Sequence, residues 1–260
     1  MLRDVEDGAK AFFRKLNVRV TSYTRFDRLK SYEKDHNDID FLKALPEASV
    51  SKAVSLLDRS KSQLRQDLFV LSELGFKRDG FFVEFGATDG NELSNSWILE
   101  KDFGWKGILA EPARVWHQNL KANRGCIIET DCVWKVTGDQ IEFAEIGAAA
   151  LSTVASLTDQ DSHHTRRRRS TRYQVTTVTL TDMLARNDAP AVIDYLSIDT
   201  EGSEYDILAA HDFDRFKFSV ITCEHNFTPN REKIFKLLTS KGYRRVMERQ
   251  SQFDDWYVLD

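Results

Sequence analysis

The run FFVEFGATDGNELSN, from Phe81 to Asn95, limits what this chain can fold into more than any other stretch. An apolar strand carries Glu84 into a turn flanked by Gly86 and Gly90, and helical spacing begins near Leu93, with Asn91 placed to cap it. In a doubly wound sheet such a turn lies at the carboxyl edge of the first strand, where the ligand crevice opens. From Gly80 onward the pattern recurs as short apolar runs closed by acids or glycine, each followed by helical spacing. That is the βαβ signature of a mostly parallel sheet. Strands are expected at Phe81 to Gly86, Gly107 to Ala110, Cys126 to Thr130, Val192 to Ile198 and Phe218 to Cys223. Helices are expected near Leu93 to Lys101, Val115 to Ala122, Leu180 to Arg186, Glu204 to Ala210 and Arg231 to Ser240. Two last runs, Tyr243 to Glu248 and Trp256 to Leu259, flank a short polar stretch and suit an antiparallel hairpin at the sheet edge.

Residues 1–79 hold no strand run of this quality and are rich in helix formers, so an N-terminal helical extension is expected before a catalytic domain at 80–260. The interval from Gly147 to Arg172 is small and polar, then strongly basic in HHTRRRRSTR, and reads as a mobile loop over one face of the sheet. With 37 Lys+Arg against 41 Asp+Glu, the chain lacks the basic excess of a protein held on a nucleic-acid backbone, and nucleic acid is not expected as a partner. Cys126, Cys132 and Cys223 have no metal-ligand spacing and lie in apolar runs, which suits reduced core thiols and a cytoplasmic setting. No run approaches the ~20 apolar residues of a membrane span.

A dinucleotide pyrophosphate calls for GxGxxG and a helix start free of negative charge, whereas this turn is GxxxG with Glu84 and Asp89 around it. Those carboxylates repel phosphate and suit S-adenosylmethionine (SAM), which carries an α-ammonium and a sulfonium. A ribose-binding acid is expected about twenty residues further on, after the next strand, and GILAEP supplies Glu111 there. The candidate cofactor residues are therefore Glu84, Gly86, Thr88, Asp89, Gly90 and Glu111.

FVEFGATDG followed by LSN, then GWKGILAEP, YLSIDTEGSEYDIL and ITCEHN, in this order over roughly residues 60 to 245, resembles the FkbM-type methyltransferases. The resemblance implies a class I methyltransferase (Rossmann-like) α/β fold, SAM as methyl donor and, most often, O-methylation of sugar or natural-product hydroxyls. It extends upstream to SQLRQDLFV, where the family usually has glycine in place of Arg65, and implies that Gln66 and Asp67 face the methionine end of SAM. The class I pattern likewise makes Asp131, after the third strand, the candidate acceptor from the adenine amino group.

The fourth strand runs into Asp199, Glu201 and Glu204, and the fifth ends in Glu224, His225 and Asn226. These strands are neighbours in the usual class I order, so the groups should converge beside the reacting methyl. Methyl transfer to an alcohol is an in-line displacement that needs the acceptor aligned and its proton removed. Two routes stay open: His225 as base, oriented by Glu224, or a divalent ion such as Mg²⁺ held by Asp199 with Glu224 or Asn226. Arg166, Arg167 and Arg168 are the candidate grip on an anionic acceptor, phosphorylated or nucleotide-linked. N- or protein methylation, or a non-catalytic SAM-binding module, is the alternative function.

Overall fold

The computed structural model describes residues 22–145, 153–154 and 171–260. The chain divides into two compact units, 1–43 and 44–260. The described part of the first is one long helix, α1 (Tyr23–Ala44). The second unit opens with helices α2 (Glu47–Leu56) and α3 (Gln66–Glu73), which precede the first strand.

Its main sheet is built from β1 (Phe81–Phe85), β2 (Lys106–Ala110), β3 (Ile127–Glu129), β8 (Val192–Ile198), β9 (Lys217–Glu224), β10 (Tyr243–Val246) and β11 (Asp254–Leu259). The order is β10-β11-β9-β8-β1-β2-β3. The five strands from β9 to β3 pair in parallel, and β11 runs antiparallel to both β9 and β10. Parallel strands need crossovers, and the helices that supply them are α4 (Trp97–Phe103), α5 (His117–Asn123), α6 (Leu180–Arg186) and α7 (Glu204–Ala209), while α8 (Asn230–Ser240) leads from β9 to the terminal hairpin. A single turn, α9 (Glu248–Ser251), lies between β10 and β11. The chain thus has the doubly wound sheet and the terminal hairpin that its patterning implied.

Burial explains why this sheet forms. Val83, Phe85, Ile108, Leu196, Ile198 and Ile221 on its strands pack with Leu180, Met183 and Leu184 of α6 in one core cluster. Each fully buried aliphatic or aromatic side chain contributes about 1.5–3 kcal/mol relative to an exposed one. The register brings strand ends level: Phe85 lies opposite Ala110, Glu84 opposite Ser197, Ile198 opposite Cys223, and Glu224 opposite Asp254. Residues just past these ends therefore share one edge.

Three local expectations are corrected. The helix placed near Leu93 begins at Trp97, because Ser94, Asn95 and Ser96 are drawn onto the Glu84 carboxylate instead of into a helical turn. The helix placed at Val115 opens as a 3₁₀ turn, Arg114–Trp116, before α5. A second sheet, β4-β7-β5-β6, has no counterpart among the expected strands; it joins β4 (Cys132–Val133), β5 (Gln140–Glu145), β6 (Thr153–Val154) and β7 (Thr171–Val178). Half-exposed strands such as QIEFAE and TRYQVTTV keep polar residues on one face and lack the continuous apolar runs of the parallel sheet. Thr171 and Arg172, expected in a loop, belong to β7, where Arg172 pairs with Glu142 at 2.9 Å.

Candidate active site

The glycine turn begins with Gly86 at φ +71°, where a Cβ would stand 2.1 Å from the Asp199 carbonyl oxygen. Only glycine lets the β1 turn press against the end of β8. Asp89 closes the turn: its Oδ1 accepts from the N–H groups of Asn91 and Glu92 at 2.8 and 2.9 Å. Gly90 takes φ +74° because its missing Cβ is replaced by Arg124 Cγ and Leu120 Cδ1, each 2.6 Å from where it would be.

Glu84 is nearly buried and fully engaged. Its carboxylate accepts from Ser94 Oγ, from Ser96 Oγ and, at 2.7 Å, from the Asn95 N–H. Arg124, wholly enclosed, completes the clamp: Nη1 donates to the Gly90 carbonyl and Ser94 Oγ at 3.0 Å, Nη2 to Ser96 Oγ at 2.9 Å, and Nε to Glu100 at 2.6 Å. Glu84 therefore holds the LSN segment as one wall of a cavity while lining that cavity itself.

The cavity, of about 300 Å³, runs along the carboxyl edge. That volume lies at the small end of the ~300–1,000 Å³ typical of ligand pockets. Its carboxyl residues are Glu84, Asp89, Glu92, Glu111, Asp199, Glu201 and Asp254, and no Lys, Arg or His is among the described residues lining it. The other end, beyond β2, is walled by Pro112, Trp116, Cys132, Val133 and Phe143. Asp199, Glu201 and Asp254 lie at the ends of β8 and β11, Glu84, Asp89 and Glu92 at β1 and its turn, and the apolar slot beside β2 and the second sheet. A ligand with positive charge at one end and a flat apolar group at the other matches this lining.

Glu111 sits between them, accepting from the Thr88 N–H at 2.9 Å and the Ala113 N–H at 2.8 Å. Burial pushes its pKa up to about 7 against the pull of those two hydrogen bonds, helped by the charges of Glu145 and Asp199. Asp254, at the start of β11, is raised to about 7 by burial, against a hydrogen bond from Gln66 Nε2 at 2.8 Å. Gln66 thus lines the cavity. Arg65 before it takes φ +68°, the left-handed conformation that glycine adopts freely, and its Nη1 donates to the Leu57 carbonyl at 3.0 Å.

Asp199 and Glu224 face each other across the ends of β8 and β9. Burial raises the pKa of both, and the Asp199 charge raises Glu224 further, so the pair shares a proton with Glu224 as its holder. Oxygens of Asp199, Glu201 and Glu224 lie within 4.8 Å of one another. A second cavity of about 270 Å³ borders the first, with Glu201 lining both; Glu224, His225 and Asn226 line the second alone.

Of the predicted site residues, Gly90, Asp67 and Asp131 line neither cavity, and Glu224, His225 and Asn226 line only the second. Asp67 lies behind Gln66 and accepts on Oδ1 from Ser60, Ser62 and the Leu68 N–H. Asp131 accepts from both Nη atoms of Arg186 at 3.0 Å. His225 has both ring nitrogens engaged: Nδ1 accepts from the Phe227 N–H at 2.9 Å, which makes Nε2 the donor to the Asp254 carbonyl at 3.0 Å. Burial lowers its pKa, although Asp255 pulls the other way. No imidazole lone pair is left for an acceptor proton in this arrangement. Arg166, Arg167 and Arg168 lie outside the described residues. Asp254, Arg124, Trp116 and Phe143 were not singled out from sequence as site residues. For Asp254 a signal existed, since two acids immediately precede the apolar run that became β11.

Among curated proteins no sequence match is found. Of solved structures, the precorrin-6y C5,15-methyltransferase of Geobacter metallireducens GS-15 aligns at a TM-score of 0.39 and 15% identity, over 74% of this chain and 85% of its own. The TehB-like SAM-dependent methyltransferase of Corynebacterium glutamicum aligns at 0.39 and 8% identity, over 82% and 97%. The Methyltransferase FkbM domain matches residues 84–256, from the acid that closes β1 to the middle of β11. With that span covering the glycine turn, Glu111 and both acidic strand ends, the chain belongs to the FkbM methyltransferase family and uses SAM as its methyl donor.

Proposed function

We propose that the chain O-methylates a hydroxyl of a sugar, glycan or natural-product acceptor, with residues 80–260 as the catalytic domain and 1–79 as its helical extension. The observation that carries this is the carboxyl cluster of Asp199, Glu201 and Glu224, with oxygens within 4.8 Å of one another, at the border of the two cavities. When bound, SAM supplies an electrophilic methyl on a sulfonium. The acids around Asp199 and Asp254 suit its positive charges, Glu111 suits its ribose hydroxyls, and the Trp116–Phe143 slot suits its base. Asp199, Glu201 and Glu224 receive the acceptor.

Removing a hydroxyl proton needs a base with an open lone pair near the methyl. His225 offers none, because its Nδ1 already accepts from Phe227. The carboxyl pair can serve: a carboxylate whose pKa burial has raised toward neutrality is a better base than an exposed one and is still ionised enough to act. Asp199 takes the proton while Glu224, holding its own, hydrogen-bonds to the charge that is being consumed. A divalent ion on the same three oxygens is the competing route, and chelation separates the two.

Labelled SAM incubated with sugars, glycosides and polyketide alcohols tests the reading. Label on acceptor oxygen, insensitive to EDTA and abolished by Asp199→Asn, is the expected result. Label on nitrogen or protein alone overturns O-methylation, and activity lost to EDTA and regained with Mg²⁺ overturns the carboxyl base.

A further inference from the structure

The second cavity opens beside the ends of β8 and β9, and carboxyl and amide side chains share its lining with apolar surface. Glu201, Glu224, Asn226 and Asn230 supply acceptors and amides, and no Lys or Arg is among the described residues lining it. Arg231, next in sequence to the lining residue Asn230, is spoken for: Nε and Nη2 donate to the two oxygens of Asp255 at 2.9 and 2.8 Å. Beside this cavity, between two of its lining residues, stands Phe227, a bulky aromatic left 71% exposed. Its ring meets His225 edge-on at 5.1 Å, and its N–H is the donor that occupies His225 Nδ1. His225 thus fixes the turn that presents Phe227 through Nδ1 and is itself anchored to the Asp254 carbonyl through Nε2.

We propose that this second cavity is the acceptor subsite, that it takes an uncharged polyhydroxylated ring seated on Phe227, and that it rejects phosphorylated or nucleotide-linked acceptors. The inference rests on the O-methylation reading above and adds the place and the charge class of the acceptor. Three features point the same way. Glu201 lines both cavities and Glu224 lines this one, so an acceptor held here lies beside the Asp199–Glu224 pair. Carboxylates and amides accept from and donate to hydroxyls, while an exposed aromatic face packs against the C–H face of a ring. A phosphate brought beside Glu201 and the neighbouring Asp199 carboxylate meets like charge, with no Lys or Arg among the described lining residues to offset it. His225 is in this scheme a positioning residue that acts through Phe227.

The test uses matched pairs: the methyl α-glycosides of glucose, galactose and mannose, their 6-phosphates, the corresponding UDP- or GDP-sugars, and the 2-amino sugars. Transfer from labelled SAM and binding by ligand-observed NMR are measured on the full chain at 50 and 200 mM salt. Uncharged glycosides are expected to be bound and O-methylated at least tenfold better than their phosphates. Phe227→Ala should raise the acceptor KM at least tenfold and leave the SAM Kd unchanged, and Phe227→Tyr should restore most of the loss. His225→Gln should raise KM more than it lowers kcat, a split that a base would reverse. O-methylation confined to phosphorylated or nucleotide-linked members overturns this proposal and leaves the O-methylation reading standing. Methylation confined to nitrogen overturns that reading as well. Failure of every uncharged glycoside to bind or react, in a protein that binds SAM, overturns the proposal, as does a Phe227→Ala variant with wild-type KM.

Discussion

Glu111 illustrates how one side chain ties the cofactor turn together. Its two oxygens accept from backbone N–H groups on either side of the cavity, Thr88 from the glycine turn and Ala113 from the β2 loop. Ribose hydroxyls donating to the same carboxylate would add charge-assisted hydrogen bonds. Glu111→Gln keeps the shape and removes the charge, so SAM affinity should fall by about 1.5–3 kcal/mol, the worth of one such bond. Titration calorimetry on the folded variant reads this directly, and an unchanged Kd would remove Glu111 from the ribose site. Asp199 and His225 form the second contrast at this scale. Asp199→Asn should lower kcat by about 10²–10⁴, the usual contribution of a positioned base. His225→Gln should cost kcat less than about tenfold, because its ring nitrogens face Phe227 and the Asp254 carbonyl instead of an acceptor. Equal kcat losses in the two variants would return His225 to the chemistry.

Among elements, the segment from the glycine turn to α4 depends on a residue that lies far along the chain. Arg124, just past α5, holds Gly90, Ser94, Ser96 and Glu100 together from inside the protein. Arg124→Met should destabilise the fold by about 3–5 kcal/mol, since Glu100 and Glu84 would lose their enclosed partner. A urea midpoint that falls with an unchanged slope would register this, whereas a midpoint within error of wild type would show the clamp to be dispensable. That dependence also explains what the sequence could and could not reveal. Strands β1, β2, β8 and β9 are continuous apolar runs buried on both faces, so periodicity and punctuation located them within a residue or two. The start of α4 was misplaced because local spacing knows nothing of Glu84 pulling three residues out of a helix. Likewise β5 and β7 make a half-exposed pair whose alternating side chains leave a weak pattern, yet β5 delivers Phe143 to the cavity. That Glu84 and Glu111 line the cavity was legible because motif and strand end coincide there, whereas Gln66 lies at the start of a helix. His225 was misleading for the same reason: position at a strand end places a residue near the edge but does not say where its ring nitrogens point.

For the whole molecule, the acidic cavity makes folding, cofactor binding and pH one problem. Burial raises Glu111 from 4.5 and Asp254 from 3.8, each to about 7. A carboxyl whose folded pKa lies above its unfolded value favours the folded state while protonated. Its contribution is complete below the unfolded pKa and is lost as pH rises through the folded one. The unliganded protein should therefore lose stability between about pH 4.5 and 7.5, by a few kcal/mol, since each tenfold difference in proton affinity between the folded and unfolded chain is worth ~1.4 kcal/mol. SAM carries positive charge into the same cavity and favours the ionised carboxylates, so the sign for binding is opposite: affinity should rise with pH across this window and binding below pH 7 should release protons. Thermal unfolding with and without SAM at pH 5.5, 6.5 and 7.5 should show the unliganded Tm falling while the SAM-induced increment grows. Calorimetry at pH 6.5 in buffers of different ionisation enthalpy should show release of a fraction of a proton or more, and Glu111→Gln should reduce it. Proton uptake on binding, or a SAM increment that shrinks as pH rises, would mean that the carboxylates of this cavity do not hold the cofactor's positive charge.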